Sequence, residues 1–211
     1  MERHIEQAMR RTWRYWYVDG LSELATGCLL LLLAPFFMLD LWLPPGPAHA
    51  ILWMLGLPAT LVVGGRLLSR AVQAAKARLV YPRTGYVSYP RSRGRRLLLG
   101  AVVGVVMGAV VGVLAAAGPA SQAWIPALQG LLLGSVWVYV GHRLDLTRFY
   151  LLAAISALAG VGAARSGLHQ GVAMAAYFAV AGGALVASGL LTLSRYLRRT
   201  RALGEGQDHG P

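Results

Sequence analysis

The stretch LATGCLLLLLAPFFMLDLWL, residues 24–43, stays apolar over the ~20 residues that a helix needs to cross the ~30 Å hydrocarbon core of a bilayer. Five more segments of similar character follow, and backbone amides in lipid are paired most simply within helices. The six segments are residues 24–43, 49–68, 97–117, 123–141, 146–164 and 171–194. The sequence therefore predicts an all-α fold: a polytopic membrane helical bundle of six transmembrane helices, arranged as three hairpins.

Composition points the same way. The chain is 56% hydrophobic and only 13% charged, whereas an average soluble domain has about 25% charged residues. The single cysteine, Cys28, excludes an intramolecular disulfide and a zinc site built of cysteines. Neither a cofactor nor a metal is predicted.

The basic residues predict the orientation. Of the 20 Lys and Arg residues, only Arg165 falls on one side of the six-span arrangement, and the rest cluster on the other side. Short basic loops stay in the cytoplasm, so both termini are predicted to be cytoplasmic. The first segment could instead be a signal peptide, because Ala48-His49-Ala50 imitates a cleavage site, but its apolar run is too long for one.

Three regions are predicted along the chain. Residues 1–18 form a cytoplasmic amphipathic helix, in which Ile5, Met9, Trp13 and Trp16 recur at helical spacing. This helix lies either in the membrane interface or against the protein's own cytoplasmic loops. Residues 19–197 form the six-span membrane domain, with a cytoplasmic basic loop at 66–96, and residues 198–211 form a disordered cytoplasmic tail. A face of Leu68, Val72, Ala75 and Leu79 predicts that the second helix continues into the basic loop.

The arginines of the basic loop attract anionic lipid head groups, which are the predicted partners. Nucleic acid is not a predicted partner, because a basic loop beside a membrane span already has an explanation.

Small residues predict where helices pack closely. Gly100, Gly104, Gly108 and Gly112 form one stripe on the third segment, and the fourth segment carries Gly130 and Gly134. Small residues at every fourth position let helices approach closely in lipid. We expect the third and fourth segments to pack together, with a homo-oligomer or another membrane protein as the alternative partner of the stripe.

Sequence motifs of catalysis are absent. The chain has no H-E-x-x-H, no G-x-S-x-G and no nucleotide-binding glycine loop. His142 and Asp145 could form an acid–base pair, or Asp145 could cap the fifth helix while His142 lies at the interface. We therefore predict no catalytic residue and no enzymatic activity.

Two carboxylates at the entry to the first span form the core of a candidate interfacial cluster. Asp19 and Glu23 are four residues apart, and carboxylates at the edge of hydrocarbon are costly unless they are paired. The nearby cations are taken to be arginines, and Arg83 is preferred because Pro82 and Gly85 shape the turn that carries it. The sequence predicts that Arg83 bridges Asp19, Glu23 or both, with Tyr81 and Tyr86 packed around the pair. In the alternative, Asp19 caps the helix and Glu23 faces water.

The motifs YWYVDG (15–20) and YPRTGY (81–86) carry a family resemblance. The chain resembles a group of uncharacterised bacterial integral-membrane proteins that pair an aromatic-Asp-Gly lead into the first span with a Tyr-Pro-Arg-Thr-Gly-Tyr motif after the second. The resemblance covers about a dozen residues and implies no activity. It implies a multi-pass protein of the bacterial plasma (inner) membrane.

Two classes of function follow from these patterns. The first is a non-enzymatic scaffold or regulatory membrane component that acts through its cytoplasmic basic face. The second is a small transporter or permease subunit for an uncharged or lipidic solute. We expect no ionisable residue near the middle of any span, which favours the first class.

Overall fold

A computed structural model of the 211-residue chain describes residues 19–39, 41–44, 46–79, 109–110, 112–114 and 116–205. All the regular structure in these ranges is helical, so the all-α prediction is confirmed for them. The helices are α1 (Leu21–Leu39), α2 (Pro47–Ile51), α3 (Leu57–Leu79), α4 (Pro119–Gln122), α5 (Ile125–Leu144), α6 (Arg148–Arg165) and α7 (Gln170–Glu205), and a π-helical turn (Leu52–Gly56) joins α2 to α3.

Five helical stretches are long and apolar enough to cross a membrane: Leu21–Leu39, Pro47–Ala77, Ala120–Leu144, Arg148–Arg165 and Gln170–Arg198. They correspond to the first, second, fourth, fifth and sixth predicted segments. Most of the third, residues 97–117, lies outside the described residues, and so do the predicted amphipathic helix at 1–18 and the cluster residues Tyr81, Arg83 and Tyr86. The described part of the chain has the helices of a multi-pass membrane protein.

One helix extends into the basic loop as predicted, and another extends past its predicted boundary. α3 continues without a break to Leu79, so the first part of the predicted basic loop at 66–96 is helical. α7 continues to Glu205, beyond residue 198, where the disordered tail was predicted to begin. Both extensions carry arginines, which are good helix formers.

The irregular turn in the second span has a local cause. Pro58 has no N–H to donate, and its ring crowds the carbonyl of the residue four positions earlier. The turn just before it, Leu52–Gly56, is π-helical, and the N–H of Leu57 donates to the carbonyl of Leu52. The proline therefore widens the helix at the level where Trp53 meets the aromatic rings of α1.

The helices pack in the order α3, α1, α7, α6, α5. α1 packs along α7. α5 and α6 form a hairpin, and α7 contacts this hairpin mainly through α6. A single apolar core joins these four helices and includes Leu33 of α1, Trp137 of α5, Phe149 of α6 and Tyr177 of α7. α3 lies outside this core, against α1.

Glycines mark the two closest helix contacts. Between α1 and α7, a Cβ on Gly27 would lie 2.7 Å from the backbone N of Val186, and one on Gly182 would lie 2.9 Å from the carbonyl O of Gly27. Between α5 and α6, a Cβ on Gly130 would lie 2.9 Å from Cα of Gly160. In both places backbone lies directly on backbone, which only the missing side chain allows.

The α5 glycines therefore face a different neighbour from the one we expected. The surfaces of Gly130 and Gly134 are occupied by α6, with the carbonyl O of Ala153 only 3.1 Å from a Cβ on Gly134. The third segment, the expected partner, would have to use another face of α5. Gly100, Gly104 and Gly108 lie outside the described residues, and packing through their stripe stays a prediction.

Candidate functional site

Four charged side chains from α3, α6 and the start of α1 meet at one end of the bundle. Asp19 and Glu23 are buried, as is Lys76 near the end of α3. Arg148 is the first residue of α6. With Ser188 and Thr192 of α7, these residues form what we call the charged cluster.

Asp19 caps the N-terminus of α1. Its Oδ1 accepts a hydrogen bond from the N–H of Leu21 at 3.1 Å, which satisfies one of the amides left unpaired at a helix N-terminus. Its other oxygen, Oδ2, lies 2.9 Å from Nζ of Lys76, and both side chains are only 3% exposed. Asp19 therefore caps one helix and fastens a second helix to it.

Glu23 is held from two sides. Its Oε1 lies 2.6 Å from Nη2 of Arg148, and its side chain is 0% exposed. Its Oε2 accepts a 2.7 Å hydrogen bond from Oγ of Ser188. Nη1 of Arg148 also donates to Oγ1 of Thr192 at 2.9 Å. One carboxylate and one guanidinium thus connect α1, α6 and α7.

Within the described residues, the two carboxylates pair with different cations. α1 begins at Leu21, not at Asp19, and the two side chains diverge to different partners. A buried carboxylate is tolerated when an opposite charge and hydrogen bonds replace its hydration, and both carboxylates meet that condition. The alternative in which Glu23 faces water is wrong, because its side chain is buried. Asp19 caps α1, as the same alternative stated, and it also forms an ion pair with Lys76.

The sequence predicted that these carboxylates need cations but missed which cations lie beside them. Lys76 corrects the assumption that the nearby cations are all arginines. A signal for it was available, because Lys76 follows Val72 by four residues and so continues the predicted inner face of α3. Arg148 had no local signal, since its contact with Glu23 depends on how α6 packs. Arg83 lies outside the described residues, and its predicted contact is untested.

The candidate acid–base pair of His142 and Asp145 does not form. Asp145 ends α5 in a left-handed conformation, with φ of 55°, and its N–H donates to the carbonyl of Gly141. It is therefore a C-terminal cap of α5, and Thr147 occupies the N-cap of α6. His142 and Asp145 are both exposed, and no hydrogen bond or ion pair joins them.

A second buried polar contact lies among α5, α6 and α7. Oγ of Ser156 donates to the carbonyl of Gly130 at 3.1 Å and lies 3.1 Å from Oη of Tyr177. Hydrogen bonds of this kind fasten helices in lipid. Among the residues described, no three His, Cys, Asp or Glu side chains come together as metal ligands.

Comparison with known proteins identifies no relative: no family model, curated protein or solved structure matches this chain.

Proposed function

We propose that this chain is a six-span protein of the bacterial plasma membrane, with both termini in the cytoplasm, and that it acts as a non-enzymatic scaffold or regulatory component through its cytoplasmic basic face. The observation that supports this most is the charged cluster. It joins the start of α1, the end of α3, the start of α6 and the C-terminal half of α7. The distribution of arginines assigns each of these four places to the cytoplasm.

The cluster also supports the number of crossings. Lys76 near the end of α3 and Arg148 just after α5 reach the same end of the bundle. α5 must therefore begin at the opposite end, and the chain must pass from one end to the other between α3 and α5. The apolar residues 97–117 supply one such crossing, which brings the count to six.

The state of the charges favours a structural role over catalysis. Asp19 faces Lys76, and Glu23 faces Arg148. A general base or nucleophile has to reach a substrate, whereas these carboxylates are occupied and enclosed by helices. By contrast, the arginines Arg143, Arg195 and Arg198 are exposed and belong to the basic face available to partners.

Cysteine labelling tests the topology. In a Cys28→Ser background, single cysteines at Gly46, Ser121 and Ser166 are expected to react with an impermeant thiol reagent on intact cells, and a cysteine at Ser92 is not. Labelling at Ser92 with protection at Gly46 would reverse the orientation.

Site-specific crosslinking tests the role. A photocrosslinker at Ser92 is expected to capture a defined partner in cells, and the same group at Ser166 is not. Replacement of Arg91, Arg93, Arg95 and Arg96 by glutamine should abolish that capture. If the Ser92 capture is unchanged in this variant, the basic face is not the docking surface. Uptake of a neutral solute by proteoliposomes above the rate of empty liposomes would replace the scaffold with the permease alternative.

A further inference from the structure

Two exposed arginines stand on the outer face of α3. Arg66 and Arg70 are four residues apart, so their side chains leave the helix on the same side, about 6 Å apart along the axis. Like charges at this spacing repel each other. An anion held between them would remove that repulsion.

Their depth in the bundle makes the pair unusual. Gly64 lies against α1, where a Cβ on it would come 3.1 Å from Cδ1 of Leu29. Leu29 is close to the middle of α1, which spans Leu21–Leu39. Arg66 precedes Lys76 by ten residues, about 15 Å along the helix. In a membrane Arg66 would therefore lie about 15 Å inside the level of the charged cluster.

The part of the chain around α3 offers these arginines no carboxylate. From Leu41 to Leu144 it contains ten basic residues and no Asp or Glu. The two carboxylates closest along α1 already face Lys76 and Arg148. Charged groups at this depth are normally paired, and within the described residues no Asp or Glu forms an ion pair with either arginine, so we take the counter-ion to come from another molecule.

The surroundings of the pair suit an amphiphile. Val62 and Val63, in the turn of α3 before Arg66, are 52% and 54% exposed, and Leu67, between the two arginines, is 58% exposed, so the three offer an apolar surface. Beside the arginines, a groove of about 260 Å³ runs between α1 and α3. Its lining includes the polar side chains of Ser22, Thr26, Ser69 and Gln73.

We propose that Arg66 and Arg70 bind the phosphate of an anionic phospholipid, with its glycerol oxygens at the groove and an acyl chain along Val62 and Val63. A guanidinium matches phosphate with two parallel hydrogen bonds, so two arginines one turn apart can hold its oxygens from both sides. Arginine stems also let the charged heads extend towards the membrane surface. The proposal rests on the proposed membrane location and adds a specific lipid site to it.

Native mass spectrometry of the purified full chain tests the site. Phosphatidylglycerol and phosphatidylcholine with identical acyl chains are titrated against the protein, and the anionic lipid is expected to be retained preferentially. The double variant Arg66→Gln/Arg70→Gln should weaken phosphatidylglycerol binding by about tenfold or more, because it removes both guanidinium groups that would hold the phosphate oxygens. The matched control Arg143→Gln/Arg198→Gln removes the same charge from exposed positions on α5 and α7 and should change phosphatidylglycerol binding less than about twofold, because neither residue belongs to the proposed site.

Three further results separate the explanations. Arg66→Lys/Arg70→Lys keeps the charge and should retain part of the selectivity, which also shows that the site still folds. Equal binding of the two lipids, or unchanged selectivity in the glutamine variant, would overturn the proposal. Displacement of the lipid by millimolar glycerol phosphate would show that the site takes a soluble phosphate instead. Alkaline carbonate extraction of membranes tests the location independently, since release of the chain would refute the membrane assignment itself.

Discussion

α1 contacts its two long neighbours in opposite ways. Against α7 it packs backbone to backbone, through Gly27 of α1 and Gly20 just before it on one side, and through Gly182 and Gly189 of α7 on the other. Against α3 it is held by long side chains, with the Asp19–Lys76 ion pair at one end and Phe36 against Trp53 at the other. The groove between α1 and α3 lies between the ion pair and the aromatic contact.

This difference shows two solutions to helix association in lipid. Apolar burial gives little driving force there, since the lipid chains are as apolar as the side chains. Close backbone contact supplies dispersion along the whole length of the α1/α7 interface. The α1/α3 interface instead relies mainly on its two ends, with Gly64 against Leu29 midway between them, and we expect it to weaken when either end is lost.

The largest effect is expected at the charged end of the α1/α3 interface. Lys76→Met leaves the buried carboxylate of Asp19 without its ion-pair partner, which typically costs about 3–5 kcal/mol. The double variant Asp19→Asn/Lys76→Met removes both charges and should recover much of the loss. Thermal unfolding in detergent measures both, and purely additive effects in the double-mutant cycle would show that the pair is not coupled.

A smaller loss is expected at the backbone contact between α1 and α7. Gly182→Ala puts a methyl group 2.9 Å from the carbonyl O of Gly27, and neither backbone can move without moving its helix. Overpacking of this kind costs about 1–3 kcal/mol.

The neighbouring residue gives a matched control for that variant. A Cβ on Gly183 meets nothing within 4 Å, so Gly183→Ala makes the same chemical change in open space. Its midpoint of thermal unfolding should equal or exceed that of the unmodified chain, because alanine is the better helix former. Equal midpoints for the two variants would mean that α1 and α7 are not in close contact.

The sequence contained a signal for the α1/α7 contact. Gly20 and Gly27 are seven residues apart, and so are Gly182 and Gly189. Seven residues are two helical turns, so Gly182 and Gly189 lie on one stripe of α7, whereas Gly20 lies just before α1 with a φ of 73° and meets α7 outside the helical spacing. The spacing of glycines shows which face of a helix can pack closely, but it does not show which helix packs against that face. The same ambiguity applies to Gly130 and Gly134, which were expected to meet the third segment and instead pack on α6.

The spans were easier to predict than the site. Apolar length decides whether a helix can cross a bilayer, and it is a local property that the five apolar helices display. The partners of Asp19 and Glu23 depend on the relative placement of α3, α6 and α7, which no local pattern contains. Carboxylates at the start of a span need cations as partners. The inner face of α3, which includes Val72 and Lys76, could have identified Lys76 as one of the two cations.

The aromatic end of the α1/α3 interface should contribute less than the ion pair. The rings of Phe36 and Phe37 lie 5.4 Å and 5.2 Å from that of Trp53, and both contacts are edge to face. Trp53→Leu keeps an apolar side chain but loses these contacts, at about 0.5–1.5 kcal/mol for each aromatic pair. Trp42→Leu is the control, since Trp42 is 81% exposed. If both variants melt at the same temperature, α3 is not held at this end.

The smallest effect is expected where α5, α6 and α7 meet, in a contact that combines close backbone packing with a hydrogen bond. Oγ of Ser156 lies 3.1 Å from the carbonyl of Gly130, beside the Gly130–Gly160 contact. Ser156→Ala removes this bond and the contact with Tyr177 without changing the packing, and hydrogen bonds between membrane helices average about 0.6 kcal/mol. Ser135→Ala is the matched control, because Ser135 is exposed and donates only within its own helix, to the carbonyl of Leu132. A loss for Ser156→Ala as large as that for Gly182→Ala would show that side-chain hydrogen bonds, and not backbone proximity, dominate this side of the bundle.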